Sequence, residues 1–141
     1  MYKRILFPVD ISEESSWRTA APVVVGLCQA FGAELHLLTI IPDLPVGAYR
    51  LHLPEDTEDL LAHAAAAGLD EFAATHIPGD IVLSKHFARG PVYQAVLQTA
   101  GTIDADLIAM ASHRPEMADY LIGPNAARVV RHAQRSVLVI R

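Results

Sequence analysis

The fold is decided by residues 107–140, which read LIAMASHRPEMADYLIGPNAARVVRHAQRSVLVI. The apolar run at 107–111 is typical of a buried strand, and the polar segment 112–115 follows it. A glycine turn at 123–125 then precedes a helical pattern and a closing apolar run at 137–140. This order predicts a βαβ unit with backbone N–H groups at the carboxyl end of a strand. Open α/β sheets bind nucleotides there, so we expect nucleotide binding.

The rest of the chain alternates strand and helix patterns. Apolar runs predict further strands at residues 4–9 and 34–41, and residues 81–87 predict a third that alternates toward its end and is therefore more edge-like. With the intervening helices, the sequence predicts five strands and four helices. Residues 1–141 are therefore expected to form a single doubly wound, Rossmann-like α/β domain with a mostly parallel sheet and helices on both faces.

Three helices precede the last βαβ unit, on apolar spacings of three and four. Ser12 is predicted to cap the first and Gly32 to end it, while Pro22 should kink or break it. Pro91 is expected at the favoured first position of the third helix. Residues 42–55 form a long loop, which in a compact domain is usually functional or mobile.

Composition limits the function classes. The 141 residues are 52% apolar and 19% charged, which suits a globular domain and argues against disorder. The net charge of −5 argues against a nucleic-acid partner, because phosphates require a basic surface. A single cysteine, Cys28, fits a reducing compartment and is expected to be a buried apolar residue. Without a secretory or membrane-spanning run, we expect a cytoplasmic protein with no membrane insertion.

Several kinds of site are not predicted. No two glycines are closer than six residues, which excludes the dinucleotide fingerprint and the P-loop, and no nucleophile elbow is present. The seven histidines are scattered without ligand spacing on a helix, so no metal site is expected. Asp104 and Asp106 flank the start of the fourth strand and are expected in a solvated turn.

Polar residues follow the first and fourth strands. The Asp10 carboxylate can accept a hydrogen bond from an adenine amino group or a ribose hydroxyl, or it can form an Asx-turn or helix cap. Ser112 can exchange a hydrogen bond with a ligand, and Arg114 can bind a phosphate bidentately. His113 either braces the loop or touches the ligand.

The start of the last helix is a candidate anion site. Gly123 permits a positive φ or a close backbone approach, and Asn125 is expected to cap the helix. Free N–H groups there would face an anion, with the helix dipole adding about 1 kcal/mol. Pro124 removes one donor, and an ordinary strand-loop-helix connection is the alternative.

The chain resembles the universal stress protein family over essentially its whole length. The segments that carry the resemblance are residues 2–10, 105–113, 122–133 and 136–141. The resemblance implies a strand order of 3-2-1-4-5, with the switch point between strands one and four. It also implies binding residues that surround an adenine nucleotide: Pro8, Val9, Asp10, Ile40, Ala111, Ser112, His113, Arg114, Gly123, Pro124, Asn125 and Ala126.

The sequence departs from the family's ATP-binding glycine pattern. Ala111 and Arg114 occupy the first two glycine positions, and Pro124 replaces a hydroxyl residue, so only Gly123 is kept. The motifs present instead, Ser-His-Arg-Pro at residues 112–115 and Gly-x-Asn-Ala at residues 123–126, are similar to those of a branch of small bacterial proteins in the family, members of which bind ATP. We rank Arg114 and Asn125 as replacements for the lost donors.

The resemblance implies a cytoplasmic stress-response protein that binds ATP or AMP, with Mg²⁺, and acts through nucleotide-dependent contacts with a regulatory protein. It implies a homodimer through the terminal strand, or a tetramer; an open edge at residues 137–140 favours pairing. The alternatives are a nucleotide-free interaction module and an ATP hydrolase. Because no acid is expected in the right loop to act as general base, hydrolysis should be slow.

Overall fold

The chain alternates strands and helices throughout the part that a computed structural model describes, residues 1–41, 53–112 and 122–141. A short 3₁₀ turn, Glu14–Ser16, precedes the first helix. The elements are β1 (Arg4–Pro8), α1 (Ala20–Phe31), β2 (Glu34–Ile40), α2 (Thr57–His76), β3 (Leu83–Ala88), α3 (Val92–Thr102), β4 (Leu107–Ala111), α4 (Pro124–His132) and β5 (Ser136–Ile140). Across these ranges no helix is both long and apolar enough to cross a bilayer. The predicted loop 42–55 lies largely outside them.

The five strands form one parallel sheet in the order β3-β2-β1-β4-β5. This confirms the doubly wound α/β fold. Pairing is uneven across the sheet: β1 pairs with β2 over five residue pairs, but with β4 only at Ile5↔Leu107 and Leu6↔Ile108. Beyond Leu6 the two central strands are no longer paired, so a cleft opens between their carboxyl ends, where the strand order reverses.

Asp106 joins β1 and β4 at the opposite, amino end. Its carboxylate accepts hydrogen bonds from the N–H groups of Lys3, at 2.8 Å, and Arg4, at 3.1 Å. Asp104 is exposed and lies 3.6 Å from the Arg4 guanidinium. The prediction of a solvated turn was therefore wrong for Asp106, which binds two backbone donors of the neighbouring strand.

Each face of the sheet carries its own hydrophobic core. On one face, Ile5, Phe7 and Leu37 pack with residues of α1 and α2. On the other, Leu6 and Ile108 pack with residues of α3 and α4. Burial on both faces explains why the central strands β1, β2 and β4 have largely apolar rather than alternating sequences.

Helix α1 begins later than its sequence pattern predicts. The expected cap Ser12 lies eight residues before Ala20, where the helix starts, because residues 10–16 form a separate turn. Pro22 is therefore the third residue of the helix, where its missing N–H leaves no hydrogen bond unmade. Gly32 ends the helix in the left-handed conformation, as expected, and Cys28 is buried on its inner face.

Candidate functional site

A cleft of about 410 Å³ lies between the carboxyl ends of β1 and β4, a volume within the usual range of small-ligand sites. Ten of the twelve residues predicted as binding residues line it: Pro8, Val9, Asp10, Ile40, Ala111, Ser112, Gly123, Pro124, Asn125 and Ala126. The other two, His113 and Arg114, lie outside the described residues. The sheet thus brings together side chains from β1, β2, β4 and α4 that are far apart in sequence.

Further lining residues escaped the sequence analysis. They are Glu13, Ser15, Ser16, Leu38, Val92 and Met110. Leu38 was within reach of prediction, because it lies two residues before Ile40 and therefore on the same face of β2. Leu38, Ile40 and Met110 give the cleft an apolar wall that a nucleotide base can contact.

Asp10 forms an Asx-turn immediately after β1. Its Oδ1 accepts hydrogen bonds from the Ser12 N–H, at 3.0 Å, and from the Ser12 hydroxyl, at 2.6 Å. The Ser16 hydroxyl binds both backbone groups of Asp10, accepting from its N–H and donating to its carbonyl, each at 2.9 Å. These bonds fix the carboxylate at the cleft and leave Oδ2 without a hydrogen bond to the described residues, so the Asx-turn is compatible with a ligand contact.

Glu13 brings a second carboxylate to the cleft. Its N–H donates to the Asp10 carbonyl at 3.1 Å, which holds the two acids in one turn. Glu13 was expected only as a first-turn residue of the first helix, and its place at the cleft was not predicted. Among the lining residues that the structure describes, Asp10 and Glu13 are the charged side chains.

The start of α4 differs from the prediction. Gly123, rather than Asn125, is the N-cap, because Pro124 takes the first helical position, where its fixed φ fits and no N–H is needed. Gly123 has a φ of −56°, so of the two alternatives, a positive φ and a close backbone approach, the positive φ does not occur. Its N–H donates to the Ser112 carbonyl at 3.3 Å, and its carbonyl accepts from Ala127 at 2.9 Å.

This arrangement leaves donors at the cleft. The N–H groups of Asn125 and Ala126 belong to the first turn of α4 and have no acceptor within the helix. The Asn125 side-chain amide makes no hydrogen bond to the described residues and lines the cleft, so it is a further possible donor. The positive end of the helix dipole adds to these donors, so this side of the cleft favours an anion. Among residues 1–41, 53–112 and 122–141, no three potential ligands gather to hold a metal ion.

Comparisons show which known proteins the chain resembles. It matches the model of the universal stress protein family over residues 1–141. It is 31% identical to universal stress protein G of Shigella flexneri, over 100% of both chains. Universal stress protein UspA from Lactobacillus plantarum has a similar solved structure, with a TM-score of 0.75, 26% identity and 99% and 98% of the two chains covered. A universal stress protein crystallised with cAMP shares the fold at 18% identity, with a TM-score of 0.66 and 99% and 97% coverage.

Proposed function

The chain belongs to the universal stress protein family, and we propose that it binds an adenine nucleotide in the cleft between β1 and β4. The observation that carries this proposal is the composition of the cleft. An apolar wall, the Asp10 carboxylate and the free amides of α4 suit a base, a ribose and a phosphate respectively. The related fold crystallised with cAMP supports the adenine nucleotide class.

We assign the predicted binding residues to parts of the nucleotide by the chemistry of their side chains and backbone groups. We assign Pro8, Val9 and Ile40 to the base and Asp10 to the ribose or the adenine amino group. Ser112, Asn125 and Ala126 are assigned to the ribose and phosphates. We further propose that Arg114 adds a charged phosphate donor, and that Mg²⁺ accompanies ATP, since the cleft already contains the acids Asp10 and Glu13.

Calorimetric titration with ATP, AMP and cAMP, each with and without Mg²⁺, tests the proposal. We expect micromolar affinity for at least one nucleotide. Asp10→Ala should weaken it, because Asp10 lines the cleft, and Gly123→Val should abolish it, because a side chain at this buried position fills part of the space. Asp59→Asn is the control, since Asp59 is exposed in the first turn of α2.

A nucleotide-free interaction module is the second candidate. Pro124 supplies no N–H, and the Gly123 N–H is already bonded to Ser112, so the helix start offers fewer donors than a glycine-rich cradle. The absence of binding at millimolar nucleotide would favour this function. Rapid phosphate release under saturating ATP would instead favour a hydrolase.

We also propose a homodimer formed through β5, acting on a regulatory protein in the cytoplasm. This strand is at an edge of the sheet, and Val137, Leu138 and Val139 are each half-buried in the single chain. Light scattering should give about twice the chain mass of 15.3 kDa, or four times that mass for a tetramer. Val139→Lys should give the single mass, because lysine blocks edge pairing. A monomeric parent protein would contradict the proposal.

A further inference from the structure

Two histidines outside the cleft contact each other across the β2–β3 pair. His36 Nδ1 lies 2.8 Å from His86 Nε2, and the rings stack with centroids 5.1 Å apart at 21°. His36 is 8% exposed, on the face of the sheet that α3 covers. The sequence analysis did not predict this contact, because 50 residues separate the two histidines.

The geometry of this contact can accommodate one added proton. At 2.8 Å, one facing nitrogen must carry a hydrogen and the other a lone pair, which two neutral imidazoles provide. The remaining nitrogen, His36 Nε2, is buried without a hydrogen bond to the described part of the chain, and Glu34 Oε2 lies 3.6 Å from it. A proton added to His36 turns Nε2 into a donor toward this carboxylate, while Nδ1–H still donates to His86.

A second added proton breaks the contact. With both imidazoles protonated, both facing nitrogens carry hydrogens, and two positive charges meet in a half-buried space. Burial, and then the neighbouring His36, lower the pKa of His86 below its ordinary 6.5.

Among the residues that the structure describes, the other charged groups around the pair offer no second anion. On β1, Arg4 lies 3.9 Å from Glu34 and is also paired with Asp104. Helix α3 has no charged side chain, and its one titratable group, Tyr93, lies against Arg128. On β3, Lys85 is paired with Asp70 of α2.

We propose that Glu34, His36 and His86 form a proton-responsive clasp, which holds β3 on the sheet with at most one added proton and releases it when both imidazoles are protonated. Among the described strands β3 lies at an edge of the sheet, where β2 is its single neighbour. Because the folded-state pKa of His86 is lowered, His86 binds its proton more tightly after β3 separates from β2. Stability of this edge is therefore complete above about pH 6.5 and falls as the pH decreases below it.

Amide hydrogen exchange on the full chain, from about pH 5 to 8, tests the clasp. After correction for intrinsic exchange, protection of the β3 amides should fall at the acidic end relative to those of β5. A tenfold difference in proton affinity between the closed and open edge gives about a tenfold loss of protection. His86→Gln should remove this pH dependence, whereas His63→Gln, on the exposed face of α2, should leave it. Equal pH dependence of β3 and β5, or its persistence in His86→Gln, would overturn the proposal.

Nitrogen NMR of the imidazole rings gives an independent test in the unmodified protein. His86 should take its proton below its ordinary pKa of 6.5, and Glu34→Gln should change this titration. If His86 takes its proton at pH 6.5 or above, the clasp is refuted even when a glutamine variant fails to fold.

One consequence rests on the proposed nucleotide function. His86 pairs in register with Leu38 of the cleft, and β3 leads through Gly90 to Val92, another lining residue. Opening this edge should therefore weaken nucleotide binding at acidic pH in the parent protein but not in His86→Gln. No nucleotide binding at any pH would refute the proposed function; binding with the same pH dependence in both proteins would refute the coupling alone.

Discussion

The turn after β1 should depend on Ser16, and Ser16→Ala tests this. The variant loses two hydrogen bonds of 2.9 Å to the backbone of Asp10. Each such bond contributes about 1 kcal/mol, and the Asp10 carbonyl keeps its bond from Glu13. We therefore expect the free energy of unfolding to decrease by about 1–2 kcal/mol. At this chain length, that corresponds to a melting temperature lower by roughly 3–6 °C.

Ser15→Ala is the matched control. Ser15 precedes Ser16 and also lines the cleft, but it makes no hydrogen bond to the described residues. Its substitution should change the unfolding free energy by less than about 0.5 kcal/mol. Urea denaturation of both variants measures the difference, and nucleotide titration should show weaker binding for Ser16→Ala because Asp10 is less firmly placed. Equal stabilities of the two variants would refute the reasoning.

Three further predictions concern the scaffold, the first two checked by urea denaturation. Gly26→Ala should stabilise α1 by about 0.5–1 kcal/mol, since a new Cβ meets no atom within 4 Å, whereas Gly32→Ala, at a φ of +64°, should destabilise it by about 1 kcal/mol. Leu6→Ala, fully buried, should cost about 2–5 kcal/mol, and Leu60→Ala, 58% exposed, less than about 0.5 kcal/mol. Cys28 should resist thiol reagents at about pH 8 until the protein unfolds, because burial raises its pKa to about 11; rapid labelling of the folded protein would contradict this.

The central strands β1, β2 and β4 were predictable because burial on both faces gives them largely apolar sequences, whereas β3, at an edge, alternates toward its end. The start of α1 was not predictable. Trp17, Ala21, Val24 and Cys28 continue the helical spacing backwards, yet Ser16 binds the backbone of Asp10 and stops the helix from extending toward Ser12. Side-chain bonds to nearby backbone compete with helix formation in a way that apolar spacing does not show.

The residues of the site that directly follow a strand could be predicted from the sequence. The N-cap of α4 and the alignment of β2 with β3 could not. Asp10 and Ser112 follow apolar runs, so their place at the cleft could be expected. At α4, both Gly123 and Asn125 are favourable caps, and the proline between them decided the outcome. The His36–His86 contact depends on how β2 and β3 align, which single-sequence patterns do not specify.

The two-pair contact between β1 and β4 means that the groove is preformed. Asp106 ties the two strands together at one end, and main-chain geometry keeps them apart at the other, so an entering molecule spends no binding energy on separating them. Replacing an apolar side chain such as Leu38 should consequently change which ligands bind, while the separation of β1 and β4 persists.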